Sequence, residues 1–249
     1  MSVDVERRGP VTVITINRPN VGNSLDGATM TAIGYAFEEA EKDGDVRALV
    51  LTAAGEKIFC AGMDLKAFVT PGAMEVQGPG LGIFTRRTFP KPVVAAVNGT
   101  AVGGGFELAL FSDLVVAAET AKFGLPEVTR GLVAAGGGTR LPTRVPLALA
   151  LELGLTGKPV TATRLYEVGL VNRVVPAADV LSTALELAET IAGNGPLAVQ
   201  CTKALMVGEV PAADWDAISK AVAPVFGSAD AREGATAFAQ KRTPNWLGR

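Results

Sequence analysis

KPVVAAVNGTAVGGGFELALF, Lys91 to Phe111, is the stretch that decides the fold. Val93 to Val97 is apolar on both faces, the composition of a strand buried under helices. A Gly-bearing turn, three successive glycines and a helix over Glu107 to Phe111 follow. The first N–H groups of a helix lack partners inside it, and glycine lets a ligand approach the main chain closely. Gly103 to Gly105 therefore offer a place for a negative oxygen, of a phosphate or of an oxyanion. The alternative is that the glycines only permit close helix packing. The phosphate readings fit poorly: Gly99 to Gly103 is GxxxG rather than GxGxxG, and Gly157-Lys158 is followed by Pro159 where a phosphate loop needs a hydroxyl.

Working outward, Val11 to Asn17 (VTVITIN) reads as a strand stopped at Arg18-Pro19. Asp26 is placed to cap a helix in which Met30, Ile33, Phe37 and Ala40 recur at helical spacing, with Gly44 near its end. Ala48 to Thr52 and Leu114 to Ala117 are further buried strands. Such alternation indicates an α/β domain with largely parallel pairing. Beyond the strand at Val171 to Val175 the pattern turns helical: Pro176 to Ala192, Pro196 to Val207, Ala212 to Phe226 and Ala229 to Lys241. Thr70 to Gly82 has Gly or Pro at six of thirteen positions and no periodicity, which predicts a mobile loop, either a pocket wall or a surface excursion.

Composition narrows the chemistry. The 249 residues carry 23 Lys+Arg against 25 Asp+Glu, a net charge of −2, and no histidine, which removes imidazole acid/base pairs and His-ligated metals. No clustered basic run invites nucleic acid. Cys60 and Cys201 form neither a disulfide framework nor a metal knuckle, so a reducing cytoplasm is expected. The charged start MSVDVERRGPVT is unlike a signal peptide, no 18-residue apolar run predicts a membrane span, and the sequon Asn98-Gly99-Thr100 reads as chance.

Two carboxylates stand out. Glu107 lies among Phe106, Leu108, Ala109, Leu110 and Phe111, where a charge is costly unless it is used or paired. An ordinary first-turn glutamate favoured by the helix dipole is the plainer reading. Glu127, in the Gly/Pro-bounded turn Phe123-Gly124-Leu125-Pro126-Glu127, is again flanked by apolar residues, and the pair brackets a strand, so both can meet at one end of a sheet. If both are partly buried, one is pushed toward the neutral acid while the other stays ionised, a proton donor beside a water-holding base. Cys60, with apolar neighbours and no histidine to activate it, reads as packing.

Taken together, FCAGMDLK (Phe59 to Lys66), KPVVAAVNGTAVGGGFELAL (Lys91 to Leu110), FGLPEVTRGLVAAGGGTRL (Phe123 to Leu141), GLVNRVVP (Gly169 to Pro176) and EGATAFAQKR (Glu233 to Arg242) resemble the crotonase superfamily, the enoyl-CoA hydratase/isomerase group, along essentially the whole chain. The resemblance implies a crotonase-like spiral of ββα repeats as the catalytic domain over 1–190, with a helical oligomerisation region over 191–249. It implies an oxyanion hole for a thioester carbonyl at the amides of Met63 and Gly104, and hydratase carboxylates at Glu107 and Glu127. The implied reaction is reversible syn addition of water across the 2,3 double bond of an acyl-CoA.

By the same resemblance, the adenine of CoA lies along Ala61, Asp64 and Leu65 beside Lys66, with Phe238 and Lys241 arriving from a neighbouring subunit of a homo-trimer or dimer of trimers. Phe68, Met74, Leu81, Phe84, Leu132 and Ala135 would wall the acyl group. No metal or separate cofactor is implied, coenzyme A being part of the substrate, and neither nucleic acid nor membrane is an expected partner. Where many hydratases carry PGAGG after the second glutamate, this chain reads Ala134-Ala135-Gly136-Gly137-Gly138. Variants of that loop occur in relatives acting on carnitinyl-CoA and on branched or sterol side-chain thioesters. A carnitinyl-CoA dehydratase-like enzyme, an isomerase on a specialised thioester, and a non-catalytic acyl-CoA binding protein are the alternatives.

Overall fold

The computed structural model describes residues 1–85, 88–208 and 214–249, with the backbone alone at 84 and 85. Two antiparallel strands, β1 (Val3–Arg8) and β2 (Val11–Ile16), open the chain. Sequence reading finds β2 and misses β1, because β1 buries Val3 alone and so carries no alternating signal. Helix α1 (Gly27–Lys42) begins as expected: the Asp26 carboxylate accepts from the Thr29 amide at 2.8 Å, and Ile33, Phe37 and Ala40 are buried.

Three passes of the chain then repeat one plan. Each lays a largely buried strand in a large sheet and continues into a three-residue strand in a second sheet. The pairs are β3 (Ala48–Ala53) with β4 (Ile58–Cys60), β5 (Val93–Val97) with β6 (Thr100–Val102), and β7 (Leu114–Ala118) with β8 (Lys122–Gly124). Short helices α2 (Leu65–Phe68) and α3 (Gly82–Thr85) follow β4, and α4 (Gly104–Phe111) follows β6. After α5 (Leu147–Thr156), β9 (Val160–Thr161) and α6 (Ala162–Glu167), the last strand is β10 (Arg173–Val175).

The large sheet has the order β1-β2-β3-β5-β7-β10 and the small one β4-β6-β8-β9. From β2 onward the large sheet is parallel, and β4, β6 and β8 are parallel to one another. This is the expected α/β spiral. The small sheet is absent from the sequence reading, since strands of two or three residues are too short to show a period.

Helix α7 (Val180–Ala192) lies across β3, β5 and β7 and buries Val180, Ala184, Ala188 and Ala192, small residues four apart that let it approach the sheet closely. Helices α8 (Pro196–Met206), α9 (Trp215–Phe226) and α10 (Ala229–Ala239) complete the chain, and Ala212, the expected start of α9, lies outside the described residues. They are tied to the α/β body by Lys203 Nζ, which donates to the Asp113 carboxylate at 2.6 Å and the Lys91 carbonyl at 2.9 Å. Among the described residues no helix is long and apolar enough to cross a membrane.

The segment Thr70 to Gly82 is irregular, as expected of a loop, and runs along α1. The Gly27 amide donates to the Ala73 carbonyl at 3.0 Å and the Gln77 amide to Thr31 Oγ1 at 2.9 Å. Gly27 and Gly34 are the residues of α1 that let it approach: a methyl on Gly34 would stand 2.5 Å from the Gly80 nitrogen.

One contact joins α4 to the small sheet. A methyl on Gly105 would stand 2.1 Å from the Cys60 carbonyl oxygen, so helix and strand touch main chain to main chain. Gly105→Ala should therefore destabilise the fold by about 2 kcal/mol, as overpacking does. Gly154→Ala, in α5 with nothing within 4 Å of the added carbon, should instead stabilise it by up to ~1 kcal/mol. Urea unfolding of both variants checks the contrast, and equal shifts would refute it.

Candidate active site

The parallel strands β4, β6 and β8 end side by side, and the residues that leave them converge. Ala61-Gly62-Met63 follows β4, Gly103-Gly104 follows β6, and Leu125-Pro126-Glu127 follows β8. Leu25 pairs across Met63: its amide donates to the Gly62 carbonyl at 2.8 Å and its carbonyl accepts from the Asp64 amide at 3.0 Å. That pairing leaves the Met63 amide pointing away. The Gly104 amide is the first of α4 and has no carbonyl one turn earlier. Among the described residues neither amide donates a hydrogen bond. A methyl on Gly104 would lie 3.7 Å from the Met63 nitrogen, so both amides border one small space. The turns that aim them use φ of +86° at Gly62 and +56° at Gly103, values side-chain-bearing residues rarely adopt.

A cavity of about 470 Å³ opens on this point. Met63, Gly104, Glu107 and Glu127 line it, together with Ala61, Leu65, Met74, Leu81, Leu132 and Ala135 from the sequence reading. It also takes in Leu25, Met30, Arg130, Val133 and Gly136, which that reading did not select. Met30 carries the helical spacing of a core residue and gives no sign of facing a cavity. Arg130 looks like a solvated charge.

Glu107 reaches the cavity from the first turn of α4. Its Oε1 accepts from the Gly138 amide at 2.8 Å, and the amides of Gly137 and Gly136 also favour its charged form. Burial outweighs them and pushes the carboxyl above the ordinary glutamate value of 4.5. The AlaAlaGlyGlyGly loop is thus a cradle for this carboxylate, since a methyl on Gly136 would stand 2.6 Å from Oε2. Glu127 is raised as well, first by burial and then by the charge of Glu107, against its own amide and Arg130. Its Oε2 is buried and has no hydrogen-bond partner among the described residues, an acceptor left for whatever enters the cavity.

Other expected site residues stand elsewhere. Phe68 is 52% exposed and borders a separate depression with Val69 to Gly72, because α2 is a single turn that points it outward. The Phe84 side chain lies outside the described residues. The Asp64 carboxylate caps α2 through the amides of Ala67 and Lys66 and receives Arg18 and the Ser24 hydroxyl, contacts that hold it below its ordinary value. Lys66 is exposed beside it. Phe238, 88% exposed, and Lys241 lie on or just after α10 and do not line the cavity of their own chain. Cys60 is fully buried and accepts from the Gly62 amide, with its thiol pushed up to about 12 by burial, in keeping with packing. Among the described residues no cluster of acidic or sulfur side chains could hold a metal.

Residues 6–249 match the family model for enoyl-CoA hydratase/isomerase. The chain belongs to that family. A carnitinyl-CoA dehydratase of Salmonella typhi is 40% identical over 259 residues, covering 100% of this chain and 99% of its own. The crystal structure of an enoyl-CoA hydratase from Mycobacterium tuberculosis superposes with a TM-score of 0.94 at 47% identity, covering 100% of this chain and 99% of that one. A carnitinyl-CoA hydratase from Mycobacterium avium gives 0.80 at 46%, with the same coverage.

As a member of the enoyl-CoA hydratase/isomerase family, the chain carries an acid pair whose burial has a cost that pH exposes. A carboxyl raised in the folded state binds protons more tightly there than in the unfolded chain. Its stabilising contribution is complete below the ordinary value of 4.5 and is lost as pH rises through the raised value. Glu107→Gln should therefore gain stability relative to the parent between pH 4 and pH 7, read from urea midpoints across that range. A difference that is flat with pH would mean that Glu107 titrates normally.

Proposed function

We propose that this enzyme is a hydro-lyase of 2-enoyl-CoA thioesters, adding water reversibly and syn across the 2,3 double bond. The observation that carries the reading is the meeting of two acids and two unpartnered amides on one apolar cavity. Attack at C3 moves negative charge onto the thioester oxygen, and the Met63 and Gly104 amides would receive it. In comparable sites one such donor is worth ~2.7–4 kcal/mol in the transition state.

Glu107, fixed by the glycine amides, would take the proton of the attacking water, and Glu127 would orient that water and supply the proton at C2. Elimination is the same path reversed, so a dehydratase needs no different groups. A double-bond isomerase needs only a shuttled proton and leaves one of the two acids without a task. Ala61 and Leu65, which line the cavity, with Asp64 and the exposed Lys66 next to them in the chain, would take the CoA moiety. The exposed Phe238 and Lys241 fit a homo-oligomer, trimer or dimer of trimers, in which a neighbour completes that site.

Glu107→Gln and Glu127→Gln should each reduce turnover at least ~10²-fold on a panel of enoyl-CoAs of differing length and branching, the scale of general acid/base catalysis. Unchanged turnover in either variant rules out the two-acid mechanism. Tight binding of CoA thioesters without any turnover in the parent would favour a binding protein.

A further inference from the structure

A groove of about 850 Å³ lies at the far end of α4 from Gly104 and Glu107, and it shares no lining residue with the cavity. It runs between the starts of β5 and β7 and the helices α7 and α8. Its ionisable walls are Arg140, Arg144, Lys203 and Asp113, three cations against one acid. Asp113 is already satisfied: Lys203 meets one of its carboxylate oxygens at 2.6 Å, and the Val93 amide donates to the same oxygen at 2.7 Å.

Two guanidiniums remain, and among the described residues neither forms an ion pair. The Arg140 guanidinium carbon stands 4.6 Å from the Phe111 ring centroid, and its N–H groups make no hydrogen bond among the described residues. A guanidinium seated over a ring keeps the N–H groups of its edge for a bidentate acceptor. Arg144 donates from Nη1 to the carbonyls of Leu110 at 3.0 Å and Ser112 at 3.3 Å, so that Nη2 and Nε are left over among the described residues. The two are near enough that Arg140, after burial, disfavours the charge on Arg144. The opposite wall is largely apolar. Helix α8 turns Val199, Thr202, Lys203 and Met206 to the groove at the spacing of one helix face, and Leu114 and Ile191 extend it.

We propose that this groove is a second ligand site, for an alkyl carboxylate whose head lies between Arg140 and Arg144 and whose chain lies along the α7–α8 wall. The site is independent of the thioester chemistry proposed above. A carboxylate matches the fork of a guanidinium and supplies the counter-charge that the pair lacks. The chain gains by leaving water against Ile191, Val199 and Met206, the last of them 82% exposed as it stands. A few fixed polar groups on mostly apolar walls, in a volume within the ~300–1,000 Å³ of small-molecule sites, is the usual form of such a site.

Calorimetric titration of the whole protein with octanoate tests the assignment. Octanoate should bind more tightly than butanoate, and at least about tenfold more tightly than octanol or octyltrimethylammonium, which share its chain but lack its charge. Arg140→Gln should weaken octanoate about tenfold or more. Met206→Glu, at an exposed position that the fold tolerates, sets a negative charge beside the chain and should weaken it about threefold or more. Neither residue lines the catalytic cavity, so octanoate held there would be unmoved by both substitutions, and that result overturns the proposal. So does equal binding of the neutral or cationic probe, or no octanoate binding to the parent. If sedimentation shows an oligomer that Met206→Glu dissociates while octanoate binding is unchanged, the groove belongs to a second copy of the chain and the proposal is likewise overturned.

Discussion

The main-chain contact between Gly105 and Cys60 sets the geometry on which the site depends. It presses the first turn of α4 onto the end of β4, which no side chain larger than hydrogen would allow. Because β4, β6 and β8 are parallel, three chain exits then lie next to one another, and the Met63 amide, the Gly104 amide and the two glutamates face one volume. Ligands of parallel α/β sheets gather beyond the carboxyl ends of strands for the same reason. The large sheet supplies the floor, its inner strands β2, β3, β5 and β7 largely buried on both faces, while the small sheet supplies the position.

Charge around the site is arranged at two levels. Arg18 joins Asp26 at 2.9 Å and Asp64 at 3.3 Å, linking the cap of α1 to the loop that carries Met63. These groups orient the backbone donors without entering the cavity. Inside it, Glu107 and Glu127 are held in surroundings that disfavour their ionisation, which destabilises the fold near neutrality and suits proton exchange with a reacting carbon. Stability given up at the site is a usual accompaniment of function.

The Thr70 to Gly82 segment shows how an irregular run can still have a definite place. Glycines on α1 let it lie directly against the helix, and its Met74 and Leu81 then face the cavity. The pattern of Gly and Pro announces a loop, but only contact with α1 turns it into a wall.

From sequence alone, the buried strands at Val11, Ala48, Val93 and Leu114, the Asp26-capped helix and the C-terminal helices are legible, because long apolar runs and helical periods are local properties of the chain. Glu107 and Glu127 are legible too, since a carboxylate among apolar neighbours is anomalous wherever it folds. The β1 edge, the two- and three-residue strands of the small sheet, the cradle at Gly136 to Gly138, the outward turn of Phe68, and the place of Arg130 are decided by tertiary structure. Each depends on which distant backbone comes to lie alongside, and a three-residue strand or a single arginine carries no periodic signal of its neighbour.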